Sequence, residues 1–272
     1  MAMNRIPFQA GLSLPSFLEQ YGTEEQCEAA LESVRWHQSF CCPACGEVGH
    51  YVLKGKTHKT FQCKGCRLQT SLIAGTLFHS THLALPRWFL AIYLVRQAKT
   101  GLSALALKRQ LGVSYPTAGL IQQKLMQAIS ERDTFYTLHG NVQVDDAYLG
   151  GERVGGKAGR GSENKIPFVA AVSLNTEGHP MYLKMAPVSG FTRKAIGEWA
   201  VQNLSPDCVV ISDGLSCFTH VLDAGCQHQA IIAGGCKPKE LPEFRWINTL
   251  LGNLKTSLSG SYHALLNTVH AI

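Results

Sequence analysis

Two short cysteine motifs, CPAC and CKGC, place Cys42-x2-Cys45 and Cys63-x2-Cys66 within one small segment. Each pair closes a tight knuckle that aims two thiolates at one point, and the gap between the pairs fits a four-thiolate ribbon. Four thiolates complete a tetrahedral shell around Zn2+ with no open position, so the site is expected to be structural. A redox pair needs one such motif in a thioredoxin-like setting, and here there are two. Cys41 abuts the first pair, but CPxCG sets the register at Cys42. Cys27, Cys208, Cys217, Cys226 and Cys236 read as ordinary buried thiols. The ten cysteines come without a secretory signal. The best membrane candidate, LALPRWFLAIYLV, is short and interrupted by Arg87. The expectation is a cytoplasmic protein with no membrane partner and no disulfide framework.

The net charge is only +6, but it is unevenly placed. Between Glu47 and Glu131 lie eleven Lys or Arg residues and no acid, whereas from Asn141 onward eleven basic residues meet eleven acidic ones. So long a segment without an acid points to a polyanion, with DNA or RNA phosphates as the obvious partner.

The hydrophobic content of 45% suits a chain with buried cores, and 272 residues allow one large domain or two to three small ones. Residues 13–39 read as helical, with a start at Thr23 and with Cys27, Ala30, Leu31 and Val34 at helical spacing. The ribbon follows at 41–70, helices continue to about Leu138, and TLHGN at 137–141 reads as a linker. From Val142 the pattern turns to short β-rich runs: VQVDDAYL, IPFVAAVSL, PMYLKMAPV, CVVIS and QAIIAG. Helices are expected at 192–204 and 246–258, and NTEGHP predicts a hairpin. The expected domains are a helical segment (1–40), the ribbon (41–70), a helical DNA-binding region (71–140) and a mixed α/β domain (141–272).

Residues 103–129 predict a helix-turn-helix. Ala104, Leu107 and Leu111 mark an apolar face, Gly112 sits at the turn, and Ser114 is a good N-cap for the next helix. The second helix would enter the major groove, with Ser114, Tyr115, Thr117 and Gln122 near base edges and Lys108, Arg109 and Lys124 facing phosphates. A plain helical hairpin packed on a core is the alternative, and Pro116 suits the first helical turn in either case. Further on, Gly151-x4-Gly156-Lys157 nearly matches a phosphate-binding loop, but Ala158 stands where a magnesium-holding hydroxyl is required. The segment reads better as a basic loop whose Arg153, Lys157, Arg160 and Lys165 contact phosphates near Asp145.

VQVDDAYLGG and VVISDGLSCF carry aspartates on apolar strands. Strand alternation sends Asp145 and Asp146 to opposite faces, so at most one of them is expected in a site. Two converging strand-borne aspartates, Asp145 and Asp213, can bridge a pair of divalent ions. Such ions activate a water or hydroxyl and stabilise the leaving oxygen in phosphoryl transfer, and Mg2+ suits carboxylate and water ligands. Asp213 could equally just cap the helix that follows Gly214.

Together these segments resemble bacterial insertion-sequence transposases of the DDE class that carry an N-terminal zinc ribbon. RWHQSFCCPACG is similar to the approach to the ribbon, and VDDAYLGGERVGGKAGRG to the first-aspartate motif with its basic loop. SDGLSCF resembles the second motif, and WINTLLGNLKTSLSGSYHA the third with its trailing helix. The resemblance covers nearly the whole chain. It implies a ribonuclease-H-like catalytic core, two Mg2+ or Mn2+ ions, an oligomer on DNA, and cut-and-join chemistry on transposon ends and target DNA. In this class the third acid sits seven residues before a Lys or Arg on one helix. Here Lys255 minus seven is Asn248, and no acid follows Glu243. One branch of these transposases uses Asn at that place, where an amide oxygen ligates as a neutral dipole. The implied site is Asp145, Asp213, Asn248 and Lys255, with Glu243 as a fallback third acid. Relatives continue past GSYHA with an aromatic and basic segment, so LLNTVHAI implies a catalytic domain shortened at its C-terminus. Two other readings stay open: a non-catalytic DNA-binding regulator built on the ribbon and the helix-turn-helix, and an inactive, truncated remnant.

Overall fold

The computed structural model describes residues 11–54, 58–98, 101–150, 165–232, 234 and 241–260. The chain divides into two compact units, Met1–Gln97 with Ala104–Ala128, and Ala98–Ser103 with Ile129–Ile272. No helix of the described residues is long and apolar enough to cross a membrane.

In the first unit, the helical stretch read over 13–39 is two helices, α1 (Leu14–Tyr21) and α2 (Glu24–Arg35), with the expected start at Thr23. The break is chemical. Gly22 closes α1, and Thr23 caps α2 through a capping box: the Gln26 N–H donates to the Thr23 hydroxyl while the Thr23 N–H donates to the Gln26 side chain. Cys27 and Leu31 are buried, but Val34, expected on their face, is exposed in the last turn. β1 (His50–Lys54), β2 (Lys59–Cys63) and β3 (Gln69–Ser71) form an antiparallel sheet in that order. Phe61 is fully buried, with Trp36 at 4.7 Å and Phe40 at 5.4 Å between ring centroids. α3 (Leu85–Gln97), α4 (Ala104–Leu111) and α5 (Tyr115–Asp133) follow and bury Leu85, Trp88, Leu107, Leu111, Ile121 and Leu125.

The second unit is a five-stranded mixed sheet, with β4 (Asn141–Leu149), β5 (Ile166–Leu174), β6 (Pro180–Pro187), β7 (Val209–Ser212) and β8 (Gln227–Ala230) in the order β6-β5-β4-β7-β8. β4, β5 and β6 are antiparallel, and the expected hairpin joins β5 to β6 at 175–179, where Asn175 Oδ1 accepts from the N–H groups of Glu177 and His179. β4–β7 and β7–β8 are parallel. α6 (Arg193–Asn203), capped by Thr192, and a 3-10 segment (Ser216–Ala224) cover one face around Val142, Val144, Val169, Ala171 and Phe218. α7 (Arg245–Gly260) covers the other around Phe168, Ala170, Val172 and Ile247. β5 is therefore buried on both sides, which is why IPFVAAVSL is almost wholly apolar. The strand expected at 229–234 is β8, displaced toward the N-terminus to Gln227–Ala230. Cys27, Cys208, Cys217 and Cys226 are buried free thiols, and Cys236 lies outside the described residues.

Candidate functional site

β4 is the strand where the sheet changes sense, antiparallel to β5 and parallel to β7. The β4–β7 register ends at Gln143↔Ile211, and continued by two residues it sets Asp145 beside Asp213. Asp213 lies just past the end of β7, where Gly214, at φ +85, turns the chain away. Asp213 Oδ1 also accepts the Leu215 N–H at 3.1 Å, so the turn-capping contact coexists with its place beside Asp145.

One carboxylate oxygen from each of Asp145, Asp146 and Asp213 lies within 4.8 Å of the others. This corrects the expectation that alternation excludes one of the adjacent pair. Alternation fixes the direction in which each Cβ leaves the strand, not where the carboxylate at the end of a side chain comes to lie. β4 has no β7 partner beyond Gln143, so a short side chain there can turn around the open edge. Asp146 is thus the residue that the sequence reading missed. The signal was present in the DD dipeptide, but only the end of β7 decides which way the second carboxylate turns.

Crowding three carboxylates has an electrostatic consequence. Asp145 is raised to about 6 from the usual carboxylate range, first by burial, then by the like charges of Asp146 and Asp213. The Asp146 N–H, 2.9 Å from Asp145 Oδ1, and the Lys255 ammonium oppose the rise. A polyvalent cation is the natural complement of such a cluster, and carboxylate oxygens suit a hard ion.

Asp145 and Asp146 open into a cleft of about 470 Å3 that Asn248 and Lys255 also line. Two turns of α7 separate the last two, which keeps them on one helix face. Asn248 lies inside α7, which begins at Arg245, so it does not cap a helix starting at Thr249. The N-terminal N–H groups of α7 are answered from elsewhere: those of Trp246 and Ile247 donate to Gln143 Oε1 at 3.1 and 3.0 Å. Glu243, the fallback acid, sits in the exposed 3-10 turn ahead of α7.

In the first unit, one sulfur from each of Cys42, Cys45, Cys63 and Cys66 lies within 4.8 Å of the others. The Cys42–Cys66 and Cys45–Cys63 sulfurs are 3.6 and 3.5 Å apart. A tetrahedron with zinc–sulfur arms of about 2.3 Å has edges of about 3.8 Å, so the four sulfurs fit a tetrahedral ion with little movement. The crowded sulfurs share their protons unequally: the backbone N–H of Ala44, joined by that of Cys45, lowers the Cys42 thiol to about 7, while the neighbouring sulfurs of Cys63 and Cys66 push the Cys45 thiol up to about 12. The sulfur of Cys41 points away, to the Gly46 carbonyl.

α4 and α5 meet across a three-residue turn, Gly112–Ser114. Gly112, at φ +65, ends α4 with its N–H on the Lys108 carbonyl. The Thr117 N–H donates to Ser114 Oγ, capping α5. Arg109, Ser114 and Tyr115 are exposed, while Lys108, Thr117 and Gln122 are half-buried. Lys124 is engaged within its own unit: its ammonium donates to the carbonyls of His79 (3.0 Å) and Leu77 (3.3 Å) and lies over the Trp88 ring. Lys165 is half-buried just before β5. Arg153, Lys157 and Arg160, and the expected C-terminal shortening, fall outside the described residues.

Residues 137–270 match the ISXO2-like transposase domain, and residues 22–69 match the transposase zinc-ribbon domain. Both matches are to domains of insertion-sequence transposases, with the zinc-ribbon domain ahead of the transposase domain. It is 27% identical over 186 residues to an uncharacterized protein in transposable element ISH50 of Halobacterium salinarum, an alignment covering 66% of this chain and 58% of that protein. The chain thus spans a little over half the length of that relative.

Proposed function

We propose that the protein cleaves and joins DNA at the ends of an insertion sequence, through a metal-dependent phosphoryl transfer centred on Asp145 and Asp213. The observation that carries this reading is the convergence of three carboxylates, from β4 and from the turn just past β7, two of which, Asp145 and Asp146, line a cleft shared with Asn248 and Lys255. When bound, Mg2+ or Mn2+ supplies Lewis acidity at the scissile phosphate and lowers the pKa of the attacking oxygen. Asp145 and Asp213, with Asp146 beside them, hold that charge. Asn248 offers a neutral oxygen that orients without adding charge. Lys255 sets a cation where a phosphate oxygen can be met. The order of antiparallel and parallel strands, with the acids at the change of sense, supports a ribonuclease-H-like core.

In the same reading, Zn2+ on Cys42, Cys45, Cys63 and Cys66 holds the ribbon as a structural ion. α4 and α5 act as a helix-turn-helix on duplex DNA, with Lys108 and Arg109 at phosphates and Ser114, Tyr115, Thr117 and Gln122 at base edges. The basic loop with Arg153, Lys157, Arg160 and Lys165 guides the strand toward the acids, and copies of the chain assemble into an oligomer on the DNA. The test is cleavage of duplex DNA carrying the element's own termini by the zinc-loaded chain with Mg2+. A nick at the terminus that disappears in Asp145→Ala supports the reading; sequence-specific DNA binding without any metal-dependent nick overturns it in favour of a regulator.

A further inference from the structure

We infer that Gln143 is a positioning residue for the carboxylate centre: it sets where α7 presents Asn248 relative to Asp145. The inference rests on the proposed metal site and concerns a residue outside that set. Gln143 is only 2% exposed, in the middle of β4 and two residues before Asp145, so the two share a sheet face. A buried amide is costly without partners. Its partners are backbone groups more than a hundred positions away in the chain: the N–H groups of Trp246 and Ile247 both donate to its Oε1. These are the first-turn donors that a helix cannot satisfy by itself. Ile247 is also the residue directly before Asn248. One side chain thus joins the strand of the first aspartate to the helix turn that carries the proposed third ligand.

Apolar packing does not provide this placement. Phe244, Ile247, Leu250, Leu251 and Leu254 seat α7 on the sheet, but such a face tolerates small slides and rotations. Two hydrogen bonds to one oxygen specify both the axial position and the rotation of the first turn. Asn248 contributes only a dipole, whose ligation depends on where its oxygen points, so small errors in α7 should show first as weaker ion binding.

The experiment is Mn2+ titration of the zinc-loaded full chain by calorimetry, alongside amide exchange at Trp246 and Ile247. Asp145→Asn and Asp213→Asn are expected to abolish Mn2+ binding, and Asn248→Ala to weaken it. Gln143→Met, which keeps the volume and removes the acceptor, is expected to weaken binding by about ten-fold and to speed exchange of the two amides. Gln143→Asn withdraws the oxygen by one methylene and gives a smaller shift in the same direction, so the test survives if the Met variant does not fold. The decisive result is non-additivity: in an Asn248→Ala background, Gln143→Met adds no further loss. Additive losses, or a change in melting temperature with Mn2+ affinity unchanged, overturn the positioning role and leave the metal site standing. If the aspartate variants bind Mn2+ as the wild type does, the metal site itself fails, and this inference with it.

Discussion

The two candidate metal centres are built on opposite plans. In the first unit four thiolates come from two four-residue motifs within 42–66, and their sulfurs close on one another. In the second unit the acids come from β4 and from the turn just past β7, and Asn248 and Lys255 of α7 line an open cleft with the two acids of β4. A closed, saturated shell has nothing left to offer a substrate, so its value is mechanical. An open, crowded, under-neutralised cluster is poor for stability and suited to chemistry. The ribbon packs Phe61 against Trp36 and Phe40, whereas the carboxylate centre stands on two apolar clusters, one on each sheet face.

The largest effects should separate the two by what removal destroys. Cys42→Ser, or stripping of the thiol-bound metal, is expected to unfold the ribbon, since structural zinc supplies about 10 kcal/mol or more of apparent binding energy. Hydrogen exchange should rise across β1–β3 and stay low across β4–β5; metal analysis should fall from about one zinc per chain. Asp145→Ala and Asp213→Ala should leave both folds intact and lower cleavage by about 10^3-fold or more, with DNA affinity unchanged. If either aspartate variant instead unfolds the second unit, the contrast between mechanical and chemical centres breaks.

A smaller and opposite effect is expected on stability. Asp145 stands at about 6 in the folded, metal-free chain against 3.8 for a free aspartate, so the folded state binds more protons between those values. Stability from this group is therefore present in full below about pH 4 and lost as pH rises through about 6. Asp145→Asn removes that loss and should stabilise the metal-free protein at pH 7.5 by roughly 1–3 kcal/mol, with no gain near pH 4. Chemical denaturation at the two pH values measures it. No comparable gain should follow any cysteine substitution in the ribbon.

Asn248 is expected to matter less than the aspartates. Asn248→Ala should raise the Mg2+ needed for half-maximal cleavage several-fold, while Asn248→Asp should lower it, because hard cations prefer anionic oxygen. An unchanged Mg2+ requirement in Asn248→Ala would remove Asn248 from the ligand set. The smallest effect concerns the basic region. Lys108→Ala with Arg109→Ala should reduce the salt slope of DNA binding by about 2, one for each phosphate that is no longer neutralised. Lys124→Ala should cost melting temperature rather than slope, since its ammonium is bound to the carbonyls of Leu77 and His79.

The ribbon was legible in the letters because its geometry is local. A Cys-x2-Cys knuckle closes within four residues, so spacing alone brings two sulfurs together, and two knuckles on a short antiparallel sheet meet without help from distant chain. The cap at Thr23, the turn at Gly112 and Ser114, and the hairpin at Asn175 were readable for the same reason: each is a contact between near neighbours. The carboxylate centre was readable only in part. Asp145 and Asp213 could be named from apolar strands, and Asn248 and Lys255 only from the family resemblance, but where these residues come to lie depends on strand register and on the seating of α7, and no local pattern carries either. Asp146 turns toward the cluster because β7 stops beside Gln143, and Gln143 faces α7 because a helix formed a hundred residues later leaves two N–H groups to be answered. Neighbouring residues set what each segment can become, while the pairing of distant strands decides which side chains share a site.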